Sequence, residues 1–184
     1  MTLAFQKRRF TVEEFYRMAD AGILGENNRV ELIEGEVFEM TPIGSRHAAC
    51  VKRLHKLLER RLGDQALVSV QDPIRISQTA EPQPDIALLK PRADFYAQAH
   101  PTPQDVLLVV EVADASLDYD RRVKLPLYAR AGIPHAWLVD LAERCLEVHQ
   151  DPSPRGYRAI QKLGLGKSVT LLGAVIDIDT FLAE

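Results

Sequence analysis

VLLVVEVADASLDYDRRVKLPLYARAGIPHAWLVD, residues 106–140, is the stretch on which the fold turns. Its first seven residues are apolar except for Glu111, the composition of a strand buried on both faces at the centre of a sheet. A helical pattern at about 119–131 follows, and then a second strand, AWLV at 136–139. That spacing is the spacing of a right-handed β-α-β crossover, which sets the two strands parallel in one sheet. Pro126 lies inside the helical pattern. Because proline is tolerated in a first turn and disruptive further in, the helix is expected to begin near Lys124.

Outward from this unit, DIALL (85–89) and the longer run ALVSVQDPIRI (66–76) read as strands. Ser45 to Leu62 is helical: Val51, Leu54, Leu58 and Leu62 form an apolar stripe that Leu57 widens. RVELIEGEVFEM (29–40) is a pair of short apolar stretches flanking Glu34 and Gly35, the pattern of a hairpin. Thr11 and Glu14 make a capping box that opens a short helix at 12–20, closed by Gly22 and Gly25. After Asp140, CLEVHQ and YRAIQKL pair across DPSPRG as a surface hairpin, with further short strands near 168–178. The proline-rich pieces near 81–84 and 101–103 read as loops rather than linkers. The expectation is one α/β domain over residues 1–184, a mixed sheet flanked by helices, with an N-terminal helix and hairpin and a C-terminal β extension.

With 184 residues, 46% of them hydrophobic and 27% charged, the chain is long enough to bury one sizeable core. Cys50 and Cys145 stand far apart and match no zinc spacing, so they are expected to be buried thiols. No signal-peptide pattern and no membrane-length apolar run is visible, and a cytoplasmic location is expected. The formal net charge of -3 excludes a protein that holds nucleic acid by bulk electrostatics; any such binding needs a local basic surface and metal ions. Lys52, Lys56 and Arg60, at four-residue spacing, are such a surface or simply a solvated helix face.

Two acids stand where acids are costly. Glu111 interrupts the most apolar strand, and Asp85 opens DIALL directly after Pro84. On neighbouring strands they would converge at one sheet edge as a hard oxygen site for Mg²⁺ or Mn²⁺. A strand-capping aspartate and a glutamate paired with an arginine are the plain alternative.

EPQPDIALL (81–89), LLVVEVADAS (107–116) and YDRRVKLPLYARAGIPHAWLVD (119–140), with the 30–40 hairpin and the 45–62 helix, resemble a small bacterial restriction-endonuclease family of the PD-(D/E)XK nuclease superfamily. The resemblance covers most of residues 10–140. It implies a restriction-endonuclease-like mixed sheet in which Asp85 matches the aspartate of the PD element and Glu111 the acid of the next element. It further implies a Mg- or Mn-dependent endonuclease hydrolysing phosphodiester bonds of DNA, with these two carboxylates holding the metal. The pattern places a lysine two residues after the acid, on the same strand face, yet this chain has Ala113 there. The family carries its lysine in the following helix instead, and Lys124 matches it, an exposed helix lysine being the other reading. Glu31 matches an acidic position of the family's hairpin and is either a further catalytic carboxylate or a solvent-facing strand residue. His47, one turn before Val51 on the apolar stripe, points inward as a core or capping histidine or as a substrate contact. Gln83 is a loop glutamine placed to hydrogen-bond substrate or water. Tyr128 reads as packing and Trp137 as core. A homodimer would suit cleavage of a duplex. The competing expectations are a nuclease-fold nucleic-acid-binding or assembly protein without turnover, motivated by Ala113, and a structural protein whose buried glutamate is merely paired.

Overall fold

The computed structural model describes residues 7–25 and 29–182. Helix α1 (Val12–Asp20) starts on the expected capping box, Thr11 Oγ1 accepting from the Glu14 N–H while Glu14 accepts from the Thr11 N–H. The hairpin β1 (Val30–Ile33) and β2 (Glu36–Glu39) follows, turning at Gly35, whose φ of 81° a side chain would resist. Then come α2 (Ser45–Leu62), β3 (Leu67–Val70), β4 (Ile86–Leu89) and β5 (Val106–Ala113). The crossover runs through α3 (Leu117–Tyr119), a π-helical turn (Asp120–Lys124) and α4 (Leu125–Arg130) into β6 (His135–Asp140). The strands β7 (Cys145–Ser153), β8 (Gly156–Leu163), β9 (Ser168–Leu171) and β10 (Ala174–Asp177), and the short α5 (Asp179–Leu182), complete the chain.

Six strands form the main sheet in the order β3-β4-β5-β6-β7-β8, and β5–β6 is the parallel pairing among its antiparallel neighbours. The crossover expected from residues 106–140 therefore lies at the sheet's centre. Strand alternation divides β5 between two cores. Leu108, Val110 and Val112 pack with the apolar stripe of α2 and with residues of β9, β10 and α5, whereas Val109 and Ala113 pack with Leu125 and Tyr128 of α4. Glu111 falls on the second face, under the crossover helix, with 3% of its surface exposed.

Three expectations need correcting. The run 66–76 is a strand only as far as Val70: Gln71 takes a left-handed φ of 58°, and Pro73 has no N–H for a ladder. The chain beyond turns away, and Arg75 reaches Glu81 and Glu13 instead. The CLEVHQ hairpin is not a surface appendage, because β7 pairs with β6 and extends the main sheet. Its residues 145–149 are all buried, including Glu147 and His149, which contact each other at 3.1 Å while Arg121 donates to Glu147 at 2.6 Å. That pairing explains why polar side chains stand in a buried strand. Lastly, the crossover helix does not wait for Lys124. It starts at Leu117 and accommodates Pro126 through the π turn, in which the Leu125 N–H donates to Asp120 O. Widening the helix at this point relieves the clash a proline ring makes with the carbonyl one turn back.

Candidate active site

Asp85 stands just before β4, where the β4–β5 ladder has ended at Ile86 and Val110. The Val112 N–H, left without a strand partner on that side, donates to Asp85 Oδ2 at 2.9 Å. His47, from the first turn of α2, places Nε2 2.9 Å from the same oxygen, and Gln71 Nε2 donates to Oδ1 at 3.2 Å. Burial would raise the Asp85 carboxyl, but these donors, His47 foremost, outweigh it and hold it below the usual carboxylate range. The Asp85 hydrogen bond correspondingly raises His47. Asp85 is thus an oriented, ionised carboxylate.

Glu111 is held differently. Tyr128 OH donates to its Oε1 at 2.6 Å, and Lys124 Nζ lies 3.2 Å from Oε1 and 3.3 Å from Oε2. Burial pushes its carboxyl well above the ordinary value despite the Lys124 ammonium. Lys124, only 4% exposed, also lies 3.3 Å from Glu31 Oε2 and donates to the Gln83 carbonyl at 3.2 Å. Burial alone would lower its pKa; the carboxylates of Glu111, Glu31, Asp120 and Asp85 raise it instead, so it is a permanent cation. Glu31 is fully buried on β1, accepting from Tyr119 OH at 3.0 Å and from the Gln83 N–H at 3.1 Å. The solvent-facing reading of Glu31 is therefore excluded, as is the exposed-lysine reading of Lys124.

The structure brings Asp85, Glu111, Lys124, Glu31, Gln83 and His47 to the wall of one cavity of ≈ 410 Å³. Gln83 contributes through its backbone, which holds both Glu31 and Lys124, where the sequence suggested its side chain. Tyr128 is buried, as a packing residue would be, but it also orients Glu111. Sequence reasoning missed Tyr119, Gln71 and Asp120. Asp120 is buried in the cavity wall with Ser116 Oγ donating to its Oδ2 at 2.6 Å, and burial pushes its carboxyl up to about 6. Its signal was available, since Asp120, Lys124 and Tyr128 recur every four residues. Gln71 and Tyr119 are recruited by tertiary contacts that local pattern does not record. Trp137 is core, and both cysteines are buried and unpaired, as expected.

A second group, Asp140, Glu143 and Cys145, brings ligand atoms within 4.8 Å of one another at the β6–β7 turn. Its acids are engaged: Asp140 Oδ1 accepts from the Ala142 and Glu143 N–H groups, and Glu143 pairs with Lys162. It is a turn with satisfied carboxylates.

A family model described as "Uma2: Putative restriction endonuclease" matches residues 12–178. No curated protein matches the chain. Among solved structures, a crystal structure described as "a putative nuclease belonging to DUF820" from Anabaena variabilis superposes with a TM-score of 0.72. The match covers 95% of this chain and 98% of that one at 14% identity, which shows a shared fold. Among the described residues, no helix is long and apolar enough to cross a membrane.

Proposed function

This chain belongs to the Uma2 family, and on that premise we propose that it is an endonuclease hydrolysing phosphodiester bonds of DNA with a magnesium or manganese ion. The observation that carries the reading is a charge imbalance in a confined place: the carboxylates of Glu31, Asp85, Glu111 and Asp120 line the cavity with Lys124 as the one buried ammonium among the described residues. One ammonium cannot neutralise four carboxylates, and burial, with the neighbouring carboxylates adding to it, raises Glu111 and Asp120. A divalent cation is the charge that such a set accommodates. The carboxylate donors are all oxygen, which suits a hard cation such as Mg²⁺ or Mn²⁺.

Asp85 and Glu111 would hold the ion, which supplies Lewis acidity and a water of lowered pKa when bound. His47, Gln71 and the Val112 N–H fix the direction of Asp85, and Tyr128 fixes Glu111. Lys124 projects from the crossover helix over the strand face where Ala113 leaves no ammonium, and its charge stabilises the phosphate as negative charge develops on it. Glu31 aims that ammonium, and is itself aimed by Tyr119 and by the Gln83 N–H.

The test is incubation of supercoiled DNA, linear DNA and RNA with the full chain in Mg²⁺, in Mn²⁺ and in EDTA, alongside Asp85→Ala. Metal-dependent cutting of DNA that Asp85→Ala loses supports the reading; no cutting in either metal overturns it. A binding or assembly module without turnover is the second reading. One observation favours it: Lys124 already gives Glu31 and Glu111 a cation. Nucleic-acid binding with no cleavage, and unfolding that metal does not shift, would select it.

A further inference from the structure

Charge is segregated in this chain. Helix α2 holds Arg46, Lys52, Arg53, Lys56, Arg60 and Arg61, six of the 23 Lys and Arg, but a single one of the 26 Asp and Glu, Glu59. The helix is therefore +5 while the remainder of the chain is −8. All six cations are exposed. At ~100° per residue, Arg46, Lys52, Arg53, Lys56 and Arg60 fall within roughly a third of the helix circumference. The opposite side is buried as Cys50, Val51, Leu54, Leu58 and Leu62.

Arg46 is engaged within the fold, donating to the Leu141 carbonyl at 3.0 Å, but Lys52, Lys56 and Arg60 are a different case. Among the described residues, no carboxylate pairs with Lys52, Lys56 or Arg60; Glu59, the helix's own acid, lies 3.2 Å from His55 Nε2. Like charges at four-residue spacing, Lys52 to Lys56 and Lys56 to Arg60, destabilise a helix, so the arrangement works against the fold unless an anion meets it. Its position is also informative. The row begins at the cavity: Gly44 and His47 line it, and Arg46 lies 3.9 Å from Asp114, another lining residue. From Arg46 to Arg60 it then runs straight for about 21 Å, at ~1.5 Å per residue. Within it Lys52, Lys56 and Arg60 follow one another at about 6 Å, four residues at ~1.5 Å each, so that they can reach successive phosphates where a strand of a duplex runs past the helix.

We propose that the exposed face of α2 carries the sugar-phosphate backbone of duplex DNA away from the cavity, with Lys52, Lys56 and Arg60 each meeting a phosphate. This rests on the nuclease reading for the identity of the polymer. It adds a surface, outside the cavity, that supplies affinity without sequence preference, because phosphate contacts position a duplex and do not read it.

The test compares the full chain with the triple variant Lys52→Gln, Lys56→Gln, Arg60→Gln, whose changes are exposed and keep good helix formers in place. Binding of a fluorescent DNA duplex is followed by anisotropy in EDTA across a salt series, and hydrolysis of bis(p-nitrophenyl) phosphate, too small to reach from the cavity to Lys52, is followed in Mn²⁺. The variant should bind at least about tenfold more weakly at 0.1 M salt, equally for unrelated sequences. Its slope of log K against log salt should be shallower by about 2.7, the value for three lost phosphate contacts. Hydrolysis of the small diester should be unchanged. A variant with the parent's affinity and slope overturns the proposal while leaving the nuclease reading standing. A parent that binds duplex but hydrolyses nothing overturns the nuclease reading and keeps the surface. A parent that binds no duplex, or a variant whose loss is confined to vesicles containing phosphatidylserine, overturns the surface assignment.

Discussion

Lys124 is under two demands at once in the proposed reaction, since its ammonium pairs with buried Glu31 and Glu111 and would also serve a phosphate. Removing one member of a buried ion pair leaves uncompensated charge and typically costs about 3–5 kcal/mol. Lys124→Ala should therefore unfold at markedly lower urea in EDTA, and Mn²⁺ should recover part of the loss by giving the carboxylates a cation again. Its cleavage rate should fall about 100-fold or more, in line with loss of a group that stabilises transition-state charge, while Mn²⁺ binding by calorimetry persists. Cleavage at the parent's rate would remove Lys124 from the chemistry. Tyr128 makes a smaller, separable contribution. Tyr128→Phe deletes the 2.6 Å hydrogen bond to Glu111 and should destabilise the fold by about 1–3 kcal/mol in urea unfolding. An unchanged midpoint would mean that Lys124 alone orients Glu111.

At the scale of elements, the site depends on the crossover helix presenting Asp120, Lys124 and Tyr128 together, and the π turn between Asp120 and Lys124 sets that presentation. Pro126 is its physical cause, because a regular helix would drive the ring into the carbonyl one turn back. Pro126→Ala permits an ordinary α-helix, which would rotate the residues before it by about 100° relative to α4. Cleavage should fall by about tenfold or more with no loss in the urea midpoint; full activity would show that the π turn is incidental. This helix also marks where sequence reading stops. The period of 106–140 was enough to give the parallel β5–β6 pair and its crossover, and the apolar stripe of α2 was enough to give its buried side. Pro126, read locally, pointed to a later helix start, because a proline's effect depends on whether the chain can widen around it. Glu31 was ambiguous for a related reason: a strand four residues long looks the same in sequence whether its glutamate meets water or a lysine 93 positions later. Asp85 and Glu111 stood out through their order and strand placement and Lys124 through the family resemblance, whereas Gln71 and Tyr119 reach the site from loop and helix positions without a periodic signature.

The whole molecule places catalytic candidates on one side of β5 and a pH-sensitive buried pair further along the same sheet, on β7. His149 is 4% exposed, and burial lowers its pKa below the usual 6.5, against the pull of Glu147. The unfolded chain then binds a proton that the folded one refuses, so stability is present above about pH 6.5 and declines as pH falls below it. Glu147, whose donors hold it below the ordinary carboxylate value in spite of burial, adds a loss only at more acid pH, below about 4.5. In a series of urea unfolding curves between pH 7.5 and 5, His149→Gln should flatten the decline; an identical decline in parent and variant would assign it elsewhere. The central claim, that carboxylates gathered around Lys124 hold a divalent ion for phosphodiester hydrolysis, is tested most directly by one measurement. Nicking of supercoiled DNA is followed as Mn²⁺ is titrated into the parent and into Glu111→Gln, which keeps the side chain's shape and loses its charge. The account expects saturable, Mn²⁺-dependent nicking by the parent and a Glu111→Gln curve that is strongly right-shifted or absent, whereas superimposable curves, or a parent that never nicks, would contradict it.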